Sequence, residues 1–249
     1  MLLAINIGNT NTTMGLFKGM RLKQKFTLAN KKRIFASAIK KITSKYQIES
    51  VVISSVVPQI TKSIKQALGK ALHSPPLIIG KDIFVPLKNL YLKPKTTGQD
   101  RLVNAYAAAD LYGTPVVAVD FGTAITFDIV SRKKEYLGGM IIAGAAKSLE
   151  ALAKHTALLP IVKLKKPPEL IGRSTKNSIL SGIVYGLARL TDGLIADIKN
   201  KIGDQARVIA CGGDARLIAD YCRKIDRIDT DLTLKGIALV YQKNKIKKS

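Results

Sequence analysis

Apolar residues run from Leu2 to Ile7 and again from Thr12 to Phe17, with the polar Gly8-Asn-Thr-Asn11 between them, a pattern that predicts a hairpin. Gly19 turns the chain toward a third strand near Leu22 to Phe26. Ile34, Phe35, Ala38, Ile39 and Ile42 then recur at three- and four-residue intervals. Residues 31–46 should therefore form a helix with one face on a sheet and its lysines in water. Ser50 to Val57 reads as a β-branched strand ended by Pro58. Ile60, Ile64, Ala67, Leu68 and Leu72 mark a second amphipathic helix, and Pro75-Pro76 stops it before a short strand at Leu77 to Ile79.

The second half repeats this order. Val116 to Asp120 and Ala124 to Val130 pair as a hairpin, Lys133 to Leu137 leads into Gly138-Gly139, Met140 to Ala143 is apolar, and Ala145 to His155 is helical. Pro160 to Pro168 is a Lys/Pro connector. Thr175 to Ile202 is a long helical pattern whose Ile179, Ile183, Gly186 and Leu190 suit an intrachain core or a subunit face equally. Arg207 to Ala210 is a strand closing on Cys211-Gly-Gly213, Asp214 opens a helix it could cap, and Leu232 to Lys243 is the last helix.

The repeat extends to the turns. Ala4-Ile-Asn-Ile-Gly-Asn-Thr10 aligns with Ala118-Val-Asp-Phe-Gly-Thr-Ala124, which sets Gly8 on Gly122 and Asn6 on Asp120. One Asp-x-Gly-Thr turn between strands is also what an ordinary hairpin looks like. Two of one design, half a chain apart, suggest a duplicated domain, with glycine admitting the backbone bend and amides at the rim able to hold phosphate. Three strands, helix, strand, helix, strand resembles the ribonuclease-H-like domain. The expectation is an α/β protein of two such domains, 1–112 and 113–249, similar to the actin, Hsp70 and sugar kinase superfamily, with an ATP cleft between them.

Composition narrows the class. At 249 residues and 47% hydrophobic the chain can build one large or two small cores. No apolar run approaches the roughly 20 residues of a membrane span, and Met1-Leu-Leu-Ala-Ile5 meets Asn6 too soon for a signal peptide, so no membrane partner and a cytoplasmic location are expected. Cys211 and Cys222 form no metal or disulfide pattern, and His73 and His155 stand far apart as structural or surface residues. Forty-one Lys and Arg against seventeen Asp and Glu give a formal +24. These lysines are spread over Lys31-Lys32-Arg33, Lys40-Lys41, Lys163 to Lys166 and Lys243 to Lys248 without interleaved aromatics. That distribution argues against a nucleic-acid partner and for a solvated basic surface that draws in anions such as ATP.

Between the halves lies Tyr91-Leu-Lys-Pro-Lys-Thr-Thr-Gly-Gln-Asp-Arg101, followed by an Ala-rich helix from Leu102 to Leu111. Asp100 could simply cap that helix while Arg101 is solvated. The same pair suits a substrate bearing a hydroxyl and a carboxylate, the acid accepting a proton and the guanidinium holding the anion.

Several segments in order resemble the type III pantothenate kinases over nearly the full length: Gly8-Asn-Thr10, Gly98-Gln-Asp-Arg101, Asp120-Phe-Gly-Thr-Ala124, Gly138-Gly139 through Gly144, Thr156-Ala-Leu-Leu-Pro160, Ile171-Gly172 with Thr175, Ser181-Gly-Ile-Val-Tyr-Gly186 with Asp192-Gly193, Gly212-Gly213 and Leu232-Thr-Leu-Lys-Gly236. The resemblance implies a homodimer in which ATP phosphorylates pantothenate, with Mg²⁺ and a monovalent cation, K⁺ or NH₄⁺. It implies ATP binding by Asn6, Ile7, Gly8, Asn9, Thr10, Asn11, Thr12, Thr13 and Thr123. Asp100 matches the proton acceptor, Asp120 the monovalent-cation ligand, and Tyr91, Gly98, Gln99, Asp100, Arg101 and Thr175 the pantothenate contacts. Gly212-Gly213 would lie near the nucleoside.

Three positions depart from the family pattern. Asn6 replaces the usual Asp, Ala143 a common Pro, and Leu180 a frequent polar residue. Asn6 and the basic surface leave open a non-catalytic, regulatory or nucleic-acid-associated relative, and Asp100 with Arg101 would also suit a kinase of another small hydroxy acid. Retention of Asp100, Arg101, Asp120, Thr123 and Thr175 favours catalysis.

Overall fold

The computed structural model describes residues 1–30, 32–69, 71–72 and 75–246. The expected helix start at Lys31, the reading of His73 and the terminal Lys247 and Lys248 lie outside them. In chain order the elements are β1 (Leu2–Ile7), β2 (Asn11–Lys18), β3 (Arg21–Ala29), α1 (Lys32–Lys45), β4 (Ser50–Ser55), α2 (Pro58–Gly69), β5 (Leu77–Ile78), β6 (Lys88–Asn89) and α3 (Gln99–Tyr112). They continue with β7 (Val116–Phe121), β8 (Ala124–Val130), β9 (Glu135–Ala143), α4 (Ala145–His155), α5 (Thr175–Ile202), β10 (Arg207–Cys211), α6 (Ala215–Ala219), β11 (Arg227–Ile228) and α7 (Leu232–Ile246).

Two compact units emerge. The first comprises Met1–Leu87, Leu92–Ala107 and Leu232–Ser249, the second Lys88–Tyr91 and Ala108–Asp231. The first unit's sheet has the order β3-β2-β1-β4-β5, antiparallel through β1, β2 and β3 and parallel through β1, β4 and β5. The second repeats it as β11-β10-β7-β8-β9, with β6 added parallel at the β9 edge. The duplication read from the turns thus extends to topology and strand direction.

In the first unit Leu3, Ile5 and Ile7 alternate onto one face with Met14, Leu16, Val51 and Ile53. Phe35, Ile39 and Ile42 of α1 and Ile60, Ile64 and Leu68 of α2 cover them. A two-faced sheet of apolar strands needs a second cover. That cover is α7, which packs on β1, β2 and β4. Leu234 sits over Gly15, the Tyr241 hydroxyl lies 2.7 Å from Ser50 Oγ, and Asn244 Nδ2 donates to the Phe84 carbonyl at 2.9 Å. The units therefore differ from a single cut between residues 112 and 113. The C-terminal helix closes the first unit, and the division falls inside α3.

In the second unit Val117, Val119, Phe121, Ile125, Phe127 and Ile129 form the core with Ala188, Ile195 and Ile198 of α5 and Ala215 and Ile218 of α6. By length and mean hydropathy, 1.4, α5 could cross a membrane. Its buried side packs into this core, and its Asp192 accepts the Arg223 and Lys224 amides, so it is a core helix. Ile179 is buried while Leu190 is 42% exposed, which splits the apolar side considered above between core and surface. Leu180 is fully buried in a cluster with Leu149, Val162 and Ile179.

Candidate active site

The first turn is held from outside itself. The Gly8 amide donates to the Asn11 carbonyl at 3.0 Å, and a Cβ on Gly8 would crowd that oxygen. Asn30, at the end of β3, pins the turn: its Nδ2 donates to the Gly8 and Asn9 carbonyls at 2.7 and 3.1 Å, and its Oδ1 accepts from Thr12 Oγ1 at 2.8 Å. Asn9, Thr10 and Asn11 are exposed. Ile7 is buried in the core and Thr12 is buried against Asn30. Of the residues expected to bind ATP, these two have only backbone to offer.

Asn6 stands in register with Thr13 on β2 and Ser54 on β4. Its Oδ1 and the Ser54 Oγ are both buried with no hydrogen-bond partner among the described residues. Such atoms are costly to leave dry, so this row is built for a polar guest or water.

Asp100 and Arg101 stand at the helix start, as expected, within the first turn of α3, which begins at Gln99 rather than at Leu102. Arg101 is only 8% exposed, so it is not a solvated end residue. The Arg101 amide donates to Asp100 Oδ1 at 2.9 Å. That oxygen also lies 2.7 Å from where a Cβ on Gly98 would stand, so a side chain there would displace the carboxylate. Burial pushes the Asp100 carboxyl above its ordinary range, opposed by the Arg101 amide and guanidinium. The Gln99 side chain fills the space over Gly80, a residue at φ +85°.

In the second unit the turn after β7 is as tight. The Gly122 amide donates to the Ala124 carbonyl at 3.1 Å, and the Gly144 amide to the Thr123 carbonyl at 3.1 Å. A side chain on Gly144 would strike the Gly122 and Thr123 carbonyls. The Asp120 carboxylate lies against the Cα of Gly212, whose φ is +96°, while the Asp214 amide donates to the Phe121 carbonyl. Asp214 makes no side-chain cap on α6, contrary to expectation, and burial pushes its carboxyl up. Tyr91 lies beside Tyr136, Thr175 is exposed at the start of α5, and Ser174 rather than Thr175 caps that helix by accepting from the Asn177 amide. Among the described residues no three His, Cys, Asp or Glu side chains cluster as a metal cage.

Sequence reasoning missed Asn30, Gly80 and Ser54, because each acts across the sheet or a loop from a partner distant in sequence.

Paired sheets of this order, each with a glycine turn between its first two strands, define an ATPase fold of the actin, Hsp70 and sugar kinase superfamily. Solved structures carry the same fold. A conserved Campylobacter jejuni protein assigned to the Baf family of transcriptional activators is 20% identical with a TM-score of 0.58, covering 98% of this chain and 99% of its own. The ROK hexokinase of Thermus thermophilus is 16% identical with a TM-score of 0.52, covering 98% and 99%. Residues 2–197 match the type III pantothenate kinase family. The type III pantothenate kinases of Syntrophobacter fumaroxidans and Halalkalibacterium halodurans are 41% and 40% identical, over 98% of this chain and 99% and 100% of theirs. The chain belongs to the type III pantothenate kinase family.

Proposed function

We propose that this chain transfers the γ-phosphoryl group of ATP to the primary hydroxyl of pantothenate, giving 4'-phosphopantothenate, the first step of coenzyme A synthesis. The observation that carries the reading is the near full-length match to enzymes of that name, together with a half-buried carboxylate, Asp100, fixed beside a buried guanidinium.

Asp100 is the proton acceptor. Oδ1 is engaged by the Arg101 amide, which leaves Oδ2 for the substrate hydroxyl. As the hydroxyl oxygen bonds to the γ-phosphorus and the bond to the β-phosphate oxygen breaks, its proton passes to Asp100 and ADP departs. Burial makes the carboxylate a stronger base than an exposed one, and general-base help of this kind contributes about 10²–10⁴ in rate. Arg101, with Tyr91, Gly98, Gln99 and Thr175, binds pantothenate. A buried guanidinium has little rotamer freedom left to lose when it grips a carboxylate. Asn6 to Thr13 and Thr123 bind ATP, and the exposed Asn9-Thr-Asn11 stretch presents amides and hydroxyls suited to phosphate oxygens.

Mg²⁺ fits this donor set as an ion that would be held chiefly by nucleotide phosphates, since Asn6 offers one neutral oxygen and no carboxylate cage forms among the described residues. When bound, it neutralises charge on the transferring phosphoryl group. Asp120, its carboxylate packed on Gly212, is the ligand for the monovalent cation. The active form is a homodimer in the cytoplasm, with no nucleic acid or membrane partner. An assay of ADP release tests the reading: turnover should require both pantothenate and K⁺ or NH₄⁺, and release independent of pantothenate would refute it.

A further inference from the structure

The second unit's sheet contains a carboxylate with no part in the steps above. Asp128 on β8 is fully buried, in a strand whose alternate residues Ile125, Phe127 and Ile129 face the opposite way into the core. A dehydrated carboxylate persists only when hydrogen-bonded. Its two oxygens are held separately, Oδ2 accepting from Thr126 Oγ1 and Oδ1 from Tyr136 Oη, each at 2.9 Å.

Tyr136 is itself fully buried, and its ring neighbours that of Tyr91, with centroids 6.3 Å apart and planes inclined by 37°. The backbone around Tyr91 is docked on the same stretch of β9. Strand β6 pairs with Glu135 and Tyr136, the Leu90 amide donates to the Tyr136 carbonyl at 2.9 Å, and the Tyr91 amide donates to Asn89 Oδ1 at 3.0 Å. Lys88 Nζ closes on Glu135 at 2.7 Å. At the other end of the chain of contacts, Thr126 is the register partner of Asp120.

We infer that Asp128 and Tyr136 are positioning residues for Tyr91: the buried carboxylate fixes the Tyr136 ring, and that ring sets the place of the side chain assigned to pantothenate. An apolar pair would fill the same space without dehydrating a charge, so what the hydroxyl and carboxylate add is a defined ring position. The inference rests on the reading of Tyr91 as a substrate contact.

Tyr136→Phe keeps the ring and removes the hydroxyl that bonds Asp128. Steady-state kinetics with each substrate varied, on this variant, on Tyr91→Ala and on the double variant, test the inference. The expected result is a rise in pantothenate KM of roughly three- to tenfold, the range an aromatic contact carries. The ATP KM and kcat should change little, and the effect should disappear once Tyr91 is alanine. A lowered Tm with unchanged pantothenate KM overturns the inference, as does a penalty that persists in full beside Tyr91→Ala; both would mean a purely structural role. If Tyr91→Ala alone leaves the pantothenate KM unchanged, the assignment of Tyr91 fails and takes the inference with it. Should Tyr136→Phe not fold, Asp128→Asn, which keeps the volume and an acceptor oxygen, must give the same split between the two KM values.

Discussion

The carboxylate of Asp120 occupies the space that a side chain on Gly212 would need. The two residues are neighbours across β7 and β10, where Asp120 is the register partner of Cys211. Gly212 is held at φ +96°, a conformation that side chains resist, and the Phe121 carbonyl crowds the same point. Gly212→Ala should therefore displace Asp120 and raise the K⁺ concentration for half-maximal rate by roughly tenfold or more, about 1.4 kcal/mol of lost binding. A K⁺ titration matching wild type would show that Asp120 does not depend on this close approach.

On the proposed reading, Asn6 should set the demand for magnesium. Its neutral oxygen stands where a carboxylate would attract Mg²⁺, and the neighbouring Ser54 hydroxyl, with no partner among the described residues, could donate to an introduced one. Asn6→Asp is expected to lower the Mg²⁺ concentration for half-maximal turnover by roughly three- to tenfold, the scale of one partly screened charge. An unchanged magnesium titration would remove Asn6 from the account of the metal.

Asp192 anchors the loop after α6. It accepts from the Arg223 amide at 2.8 and 3.0 Å, from the Lys224 amide at 3.0 Å and from Arg189 Nη1 at 2.8 Å, while being almost completely buried. Removing it leaves two amides without an acceptor. Asp192→Ala should cost about 3–5 kcal/mol in denaturant unfolding, and a loss below about 1 kcal/mol would contradict that role.

Asp100 is expected to trade stability for chemistry. Because burial raises its folded pKa above the ordinary 3.8, the folded chain holds that proton more tightly than the unfolded chain. The resulting stability is complete below pH 3.8 and is lost as pH rises through the raised value. Asp100→Asn should then melt higher than wild type at pH 7, with the difference shrinking toward pH 4. Equal melting at both pH values would mean that the carboxylate is not dehydrated.

Where local pattern and tertiary packing agree, the sequence was enough. Helices α4 and α5 begin and end where their apolar periodicity does, and the two glycine turns sit between the strands that frame them. Three features escaped because their causes are remote. Strand β9 continues through Gly138 and Gly139, because the ladder to β8 absorbs a register shift beside Gly138, whose φ of +117° glycine permits. Helix α7 belongs with the N-terminal unit because the second face of that sheet lacked a cover, a need no C-terminal residue displays. The bond that fixes Asp128 from outside its own strand was invisible for the same reason: Thr126 shares its face of β8, but Tyr136 meets it only once β8 and β9 are paired. Position 100 was legible in kind, an acid beside an arginine, while its burial and that of Arg101 required the packed helix.

The most direct test compares wild type with Asp100→Asn in ADP release driven by pantothenate, alongside ATP binding measured by calorimetry. The account predicts a fall in kcat of about 10²–10⁴ with ATP affinity essentially retained. Turnover by Asp100→Asn close to that of wild type would contradict it.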